Sequence, residues 1–233
     1  MPELSLDLPQ GRLQGSYDAR FAGVAEAFVE NFRARDEVGA NVALTVEGRT
    51  VVDLWGGRKT RDGAAWERDT VCTVFSATKG AMALCAHMLA DRGLLDLDAR
   101  IVDYWPEFGA GGKEDALVKM TLDHSVGVPH VRAPVRRGGF YDYDDMVRRV
   151  AAEEAFWVPG SRGGYHAITM AWTVGECVHR AARQRMGKFF QEHVAGPLGL
   201  EFWIGLPADK APLVSPMINA APDAPWIATR FVQ

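Results

Sequence analysis

"VFSATKG", residues 74–80, sets a serine three positions ahead of a lysine at the start of an apolar helical pattern. On a helix, residues at i and i+3 share a side, so the Lys79 amine can reach the Ser76 hydroxyl. A helix N-terminus also favours negative charge developing beside it, through unpaired N–H groups and the helix dipole. A lysine in an apolar pocket loses its proton near neutrality and serves as a base, and Phe75, Ala77 and Ala81 to Leu84 are apolar neighbours. The simpler reading makes Ser76 a helix cap and Lys79 a solvated charge. The rest of the chain decides between them.

The 233 residues are 48% hydrophobic, enough for a real core. Net charge is −4, and Asp and Glu are interspersed with the arginines and lysines, so no basic face points to nucleic acid. Three cysteines, Cys72, Cys85 and Cys177, form no CxxC spacing and read as free thiols of a reducing compartment. The opening "MPELSLDLPQGRLQG" has acidic residues and prolines where a secretory signal needs a basic start and an apolar run. The most apolar helix, "AMALCAHMLA", is about half the length of a membrane span. A cytoplasmic protein is expected, without a membrane partner.

Working outward, residues 18 to 35 have helical spacing, with Ser16 or Asp18 as candidate caps. "NVALTVEGRTVVDLWGG" alternates around an "EGRT" turn and reads as a hairpin. A helix is expected from Ser76 to Gly93, another from Tyr143 to Trp157, a third over 167–185, and a last over "MGKFFQEHV" that stops at Gly196-Pro197. Nothing after residue 60 reads as a good strand, although a lone hairpin is marginal and wants strands beside it. The last 30 residues are rich in proline and show no closing element.

Two further stretches bear on Ser76. "PGSRGGYHAITMAWTVGECV" puts Tyr165 after a Pro-Gly-rich turn and just before a helix, where a phenol can be presented to a site. "GLLDLDARIVDYWPEF" directly follows the Ser76 helix. With "MTLDHSVGVP" and "GKFFQEHVAGPLGL", these occur in the order and rough spacing of serine β-lactamase-like proteins. Over about residues 18 to 206 the chain resembles that superfamily, and most closely the family VIII carboxylesterases and related class C β-lactamase-like hydrolases.

The resemblance implies an α+β, β-lactamase/penicillin-binding-protein-like fold: a helical region plus an antiparallel sheet flanked by helices. It implies one domain over 1–233, with an N-terminal helix and hairpin at 16–60 and a mostly helical part at 70–206 carrying the serine. It also implies that Ser76 is acylated, with Lys79 and Tyr165 as its proton relay, and that no metal or organic cofactor takes part. Phe75, His166 and Tyr141 are the expected substrate contacts. The expected partner is a small-molecule ester.

Three departures from the family pattern matter. The usual Tyr-x-Asn reads Tyr165-His166-Ala167, which loses an amide and favours an esterase over a β-lactamase or D-alanyl peptidase. "MTLDHSVGVP" is about four residues short, so the helix near Thr121 to Gly127 is expected to be altered or lost. His124 and Ser125 raise the thought of another dyad, but adjacent residues rarely face each other. The third motif, and the strands expected to pair with the hairpin, would lie beyond residue 233. The chain thus reads as a fragment or a truncated form, leaving open a non-catalytic binding protein or a second chain completing the sheet.

Other sites have weaker support. There is no G-x-S-x-G elbow, P-loop or GxGxxG. The six histidines lack metal-ligand spacing. The Arg132, Arg136, Arg137 cluster reads as a solvated loop.

Overall fold

The structure, a computed structural model, describes residues 1–218. The chain divides into two compact units, Met1–Thr73 with the described residues from Ala208, and Val74–Pro207.

In the first unit, β1 (Glu3–Leu8) and β2 (Gly11–Tyr17) form an antiparallel hairpin around Pro9-Gln10. β3 (Gly39–Val46) and β4 (Arg49–Gly57) form a second, and the sheet runs β1-β2-β4-β3. The second turn has only Glu47 and Gly48 between paired Val46 and Arg49, with φ of 49° and 75°. Two left-handed residues in a two-residue loop match the right-handed twist of the strands, and glycine adopts that region without a Cβ clash. α1 (Ala22–Ala34) buries Ala25, Phe28 and Phe32, spaced three and four apart, with Leu13, Val52 and Leu54 of the sheet in the same core. The Phe28 and Phe32 rings meet edge to face at 5.3 Å.

The expected second hairpin is present, but its partner on the β4 side is the N-terminal hairpin, not a later strand. Leu4, Leu6 and Leu8 alternate with Ser5 and Asp7 ahead of a Pro9-Gln10 turn, a strand signal in a stretch scanned only as a leader. Later strand structure exists too: β5 (Val71–Cys72) pairs in parallel with β6 (Val214–Ser215).

The second unit is mostly helical. α2 (Thr78–Asp91) buries Met82, Cys85, Ala86 and Leu89, one stripe at helical spacing. α3 (Lys119–Leu122) is a single turn, as the shortened motif predicts. α4 (Tyr143–Ala152) is capped by Asp142, whose carboxylate accepts from the Asp145 N–H. It ends five residues before Trp157 because Glu153 turns extended. α5 (Met170–Ala182) starts three residues later than expected and packs Val174, Cys177 and Val178 into the core shared with α2. α6 (Met186–Phe190) passes through a wide π-turn at Gln191–Ala195 into α7 (Gly196–Leu198), so the last helix runs past Gly196-Pro197 and stops at left-handed Gly199. Among the described residues, no helix is long and apolar enough to cross a membrane.

Lys113 is fully buried. Its ammonium donates to the carbonyls of Ala110, Ala151 and Glu153, tying its own loop to the end of α4. Burial pushes the amine down to about 8 while Glu153 and Glu114 oppose that shift, so it remains charged at neutral pH. Lys113→Met removes the only donor shown for this cage and strands buried carbonyls, each costing about 1–3 kcal/mol. Urea unfolding is expected to show a loss of about 3 kcal/mol or more.

Candidate active site

Phe75 holds a left-handed backbone, φ 45°, rare for a bulky residue. It opens the short 3₁₀ turn Phe75–Ala77 that leads into α2. Ser76 therefore lies before α2 proper, and its side chain makes no cap bond. Its Oγ instead accepts from Lys79 Nζ at 3.1 Å and lies 2.5 Å from the Tyr165 hydroxyl, which donates to it. The capping alternative fails on this geometry. The Ser76 backbone N–H has no hydrogen-bond partner among the described residues.

Lys79 also donates to the Ala167 carbonyl at 2.8 Å and sits 5.0 Å from the Tyr165 ring centroid. The hydrogen bond with Ser76, aided by the Lys79 charge, lowers the Tyr165 phenol below its usual value. The expected apolar enclosure of the lysine is not built by the residues proposed for it. Phe75 is 65% exposed and Leu84 46% exposed.

Tyr165 is held by its neighbours in sequence. Gly164 N–H donates to the His124 carbonyl, and His166 N–H donates to His124 Nδ1 at 3.2 Å. Thr169 Oγ1 donates to the Val128 carbonyl at 2.6 Å. Residues 164–169 thus lie along 124–128, the shortened motif. A Cβ on Gly164 would stand 2.6 Å from the Trp157 ring, so only glycine fits beneath the indole. The His124 ring meets the Tyr165 ring edge-on at 4.9 Å.

His166 is a correction to the expected substrate contacts. It is 1% exposed. Its Nε2 accepts from the Val128 N–H at 2.9 Å, and Nδ1 stands 2.6 Å from the Gly164 carbonyl, which assigns the neutral Nδ1–H tautomer. Both nitrogens are spent inside the fold. Phe75 stands beside Ser76 and is open to solvent, whereas Tyr141 is 93% exposed with no hydrogen bond to the trio. The His124–Ser125 dyad is absent: Ser125 Oγ donates to Asp123 at 2.6 Å. Arg132 pairs with Glu153, and Arg136 with Asp142 at 3.0 Å, so these two are engaged within the chain.

The two buried thiols, Cys85 and Cys177, are held in the unreactive protonated form. Burial pushes Cys85 up to about 11 and Cys177 up to about 12. Among the described residues, no group of three or more His, Cys, Asp or Glu is arranged to hold a metal ion. Sequence reasoning missed His124 as the support of Tyr165, and the left-handed Phe75. The histidine was legible only as one of an adjacent pair, and nothing in the letters predicts the strained φ.

The family described as Beta-lactamase matches residues 25–231. The chain is 36% identical over 206 residues to Esterase/beta-lactamase LipL of Mycobacterium tuberculosis (strain ATCC 25618 / H37Rv), covering 86% of this chain and 47% of that protein. A solved family VIII carboxylesterase is similar with a TM-score of 0.82 at 40% identity, covering 88% of this chain and 57% of that one. A penicillin-binding protein homolog from Caulobacter crescentus gives 0.84 at 34%, covering 89% and 56%. The chain thus spans about half the length of the curated relatives it matches. The fold is β-lactamase/penicillin-binding-protein-like, α+β.

Burial lowers the His166 imidazole. As pH falls below about 6.5, the unfolded chain binds a proton there that the folded chain resists, so stability is full above that pH and declines below it. Burial likewise lowers His124, which adds in the same direction. The urea midpoint is expected to fall between about pH 7.5 and pH 5. His166→Gln should weaken that dependence and cost about 1–3 kcal/mol at the higher pH, from the backbone groups it leaves unpaired.

Proposed function

We propose, from the premise that this chain belongs to the Beta-lactamase family, that it is a serine hydrolase of small carboxylic esters acting through an acyl-enzyme on Ser76. The observation that carries this reading is one hydroxyl within hydrogen-bond reach of both an amine and a phenol: Ser76 Oγ, 3.1 Å from Lys79 Nζ and 2.5 Å from Tyr165.

In the first half-reaction Tyr165, as a phenolate stabilised by the Lys79 charge, takes the Ser76 proton as Oγ bonds to the ester carbonyl carbon. The bond to the alcohol oxygen breaks, and Tyr165 returns the proton to that oxygen. In the second half, water adds to the acyl carbon, the acid leaves, and Oγ regains its proton. A phenol with a lowered pKa is suited to both directions of transfer. The Ser76 N–H, without a partner among the described residues, supplies one donor to the developing oxyanion. Ala167 offers no side-chain amide for a peptide-like substrate, which favours esters over lactams.

The three unpaired thiols suit a reducing compartment, and we assign the chain to the cytoplasm on that ground.

The test is the intact mass of the purified chain before and after a fluorophosphonate, with p-nitrophenyl butyrate turnover alongside. One adduct mapping to Ser76, with turnover abolished in Ser76→Ala and lowered about 100-fold or more in Tyr165→Phe, is the expected result. A folded chain with neither adduct nor turnover would overturn it.

A further inference from the structure

We propose that the hollow walled by residues 129–135 and the segment leading into α5 binds an unbranched apolar group of the ester, and that Ala167 is the residue that admits it. This rests on the serine hydrolase reading above and names its substrate class.

The hollow has a volume of about 360 Å³, within the range of small-molecule sites. Val131, Val135, Phe140, Ile168 and Trp172 line it, together with Ala167. Ala167 is the link to chemistry. Its carbonyl accepts from the same Lys79 ammonium that donates to Ser76 Oγ, so this wall is two hydrogen bonds from the nucleophile. A methyl group at 167 leaves free the space a longer side chain would take.

The polar groups around the hollow are committed elsewhere. Thr169 Oγ1 spends its proton on the Val128 carbonyl. The Arg132 guanidinium stacks 3.6 Å above the Phe156 ring and pairs with Glu153. The His130 ring lies 4.3 Å from the same Phe156 ring. The remaining lining is largely hydrocarbon, and part of it faces solvent: Phe140 is 48% exposed and Ile168 53%. Clustered exposed apolar side chains beside a polar reacting centre are the pattern of a binding site.

Phe140 and Trp172 are shared with a second cavity of about 700 Å³, also lined by Met186, Trp203 and Ile204. Their rings stack at 6.0 Å. We read Phe140 as the partition that ends the first hollow and limits the length of group it accepts.

The experiment compares kcat/KM of the 233-residue chain on p-nitrophenyl acetate, butyrate, hexanoate and octanoate. A parallel series holds the acid as acetate and lengthens the alcohol. One series is expected to rise by about fourfold per added methylene before levelling, the equivalent of about 0.8 kcal/mol per buried CH₂. The series that rises identifies whether the acid or the alcohol enters. Val135→Trp fills the hollow and should flatten that rise, with Ser76 labelling read alongside to show that the variant is folded and its serine accessible. Phe140→Ala, which removes a half-exposed ring, should move the best length upward, and serves as the second variant if Val135→Trp does not fold. Flat profiles in both series, with Ser76 still labelled by the fluorophosphonate, would overturn the hollow and leave the serine centre standing. Neither labelling nor turnover would overturn the serine centre, and the hollow with it.

Discussion

Lys79 donates to the Ser76 hydroxyl three residues back, in the turn that leads into its helix, and to the carbonyl of residue 167, 88 positions further along the chain. That ammonium joins two segments that share no local structure. The second donation has no slack, because a carbonyl displaced by an ångström no longer accepts. The geometry of the serine therefore depends on how α5 and the segment before it dock against α2. That docking is hydrophobic: Cys85, Ala86 and Leu89 belong to the same core as Val174, Cys177 and Val178. A shared hydrophobic core thus fixes the distance between the Ser76 and Tyr165 hydroxyls.

The same docking makes use of strain. Phe75 before the serine and His124 beside the tyrosine both hold left-handed conformations. Each costs on the order of 1 kcal/mol for a residue with a side chain. They flank the two hydroxyls that meet. Backbone strain of this kind persists where surrounding contacts over-determine it, and for His124 those contacts are the pairing of 124–128 with 164–169.

Much of this was legible in the letters, for identifiable reasons. The SxxK spacing, the Pro-Gly turn before Tyr165 and the period of α1 are local patterns, and local geometry carried them into the structure. The helix ends were less legible. Glu153 turns extended before Trp157, and Trp157 serves Ser125 through its indole N–H instead of a helical face. The N-terminal hairpin escaped because half-buried alternating leucines are a weak signal until β4 needs an edge partner. His166 was misjudged since a histidine beside a reactive tyrosine reads as chemistry, whereas its burial depends on Val128, 38 residues away. Lys113 gave no signal at all: a lysine between glycine and glutamate reads as surface, and its carbonyl cage forms only when α4 is in place.

Exposure alternates along the chain at Tyr165. Tyr165 and Ala167 lie open, while His166 between them is sealed into the interior. Anchorage and chemistry are interleaved along three consecutive residues. A substitution at 167 can reshape what the centre accepts without loosening the peg at 166 that holds it. On the proposed role of Ala167, such a segment changes specificity in single steps, each leaving a folded protein.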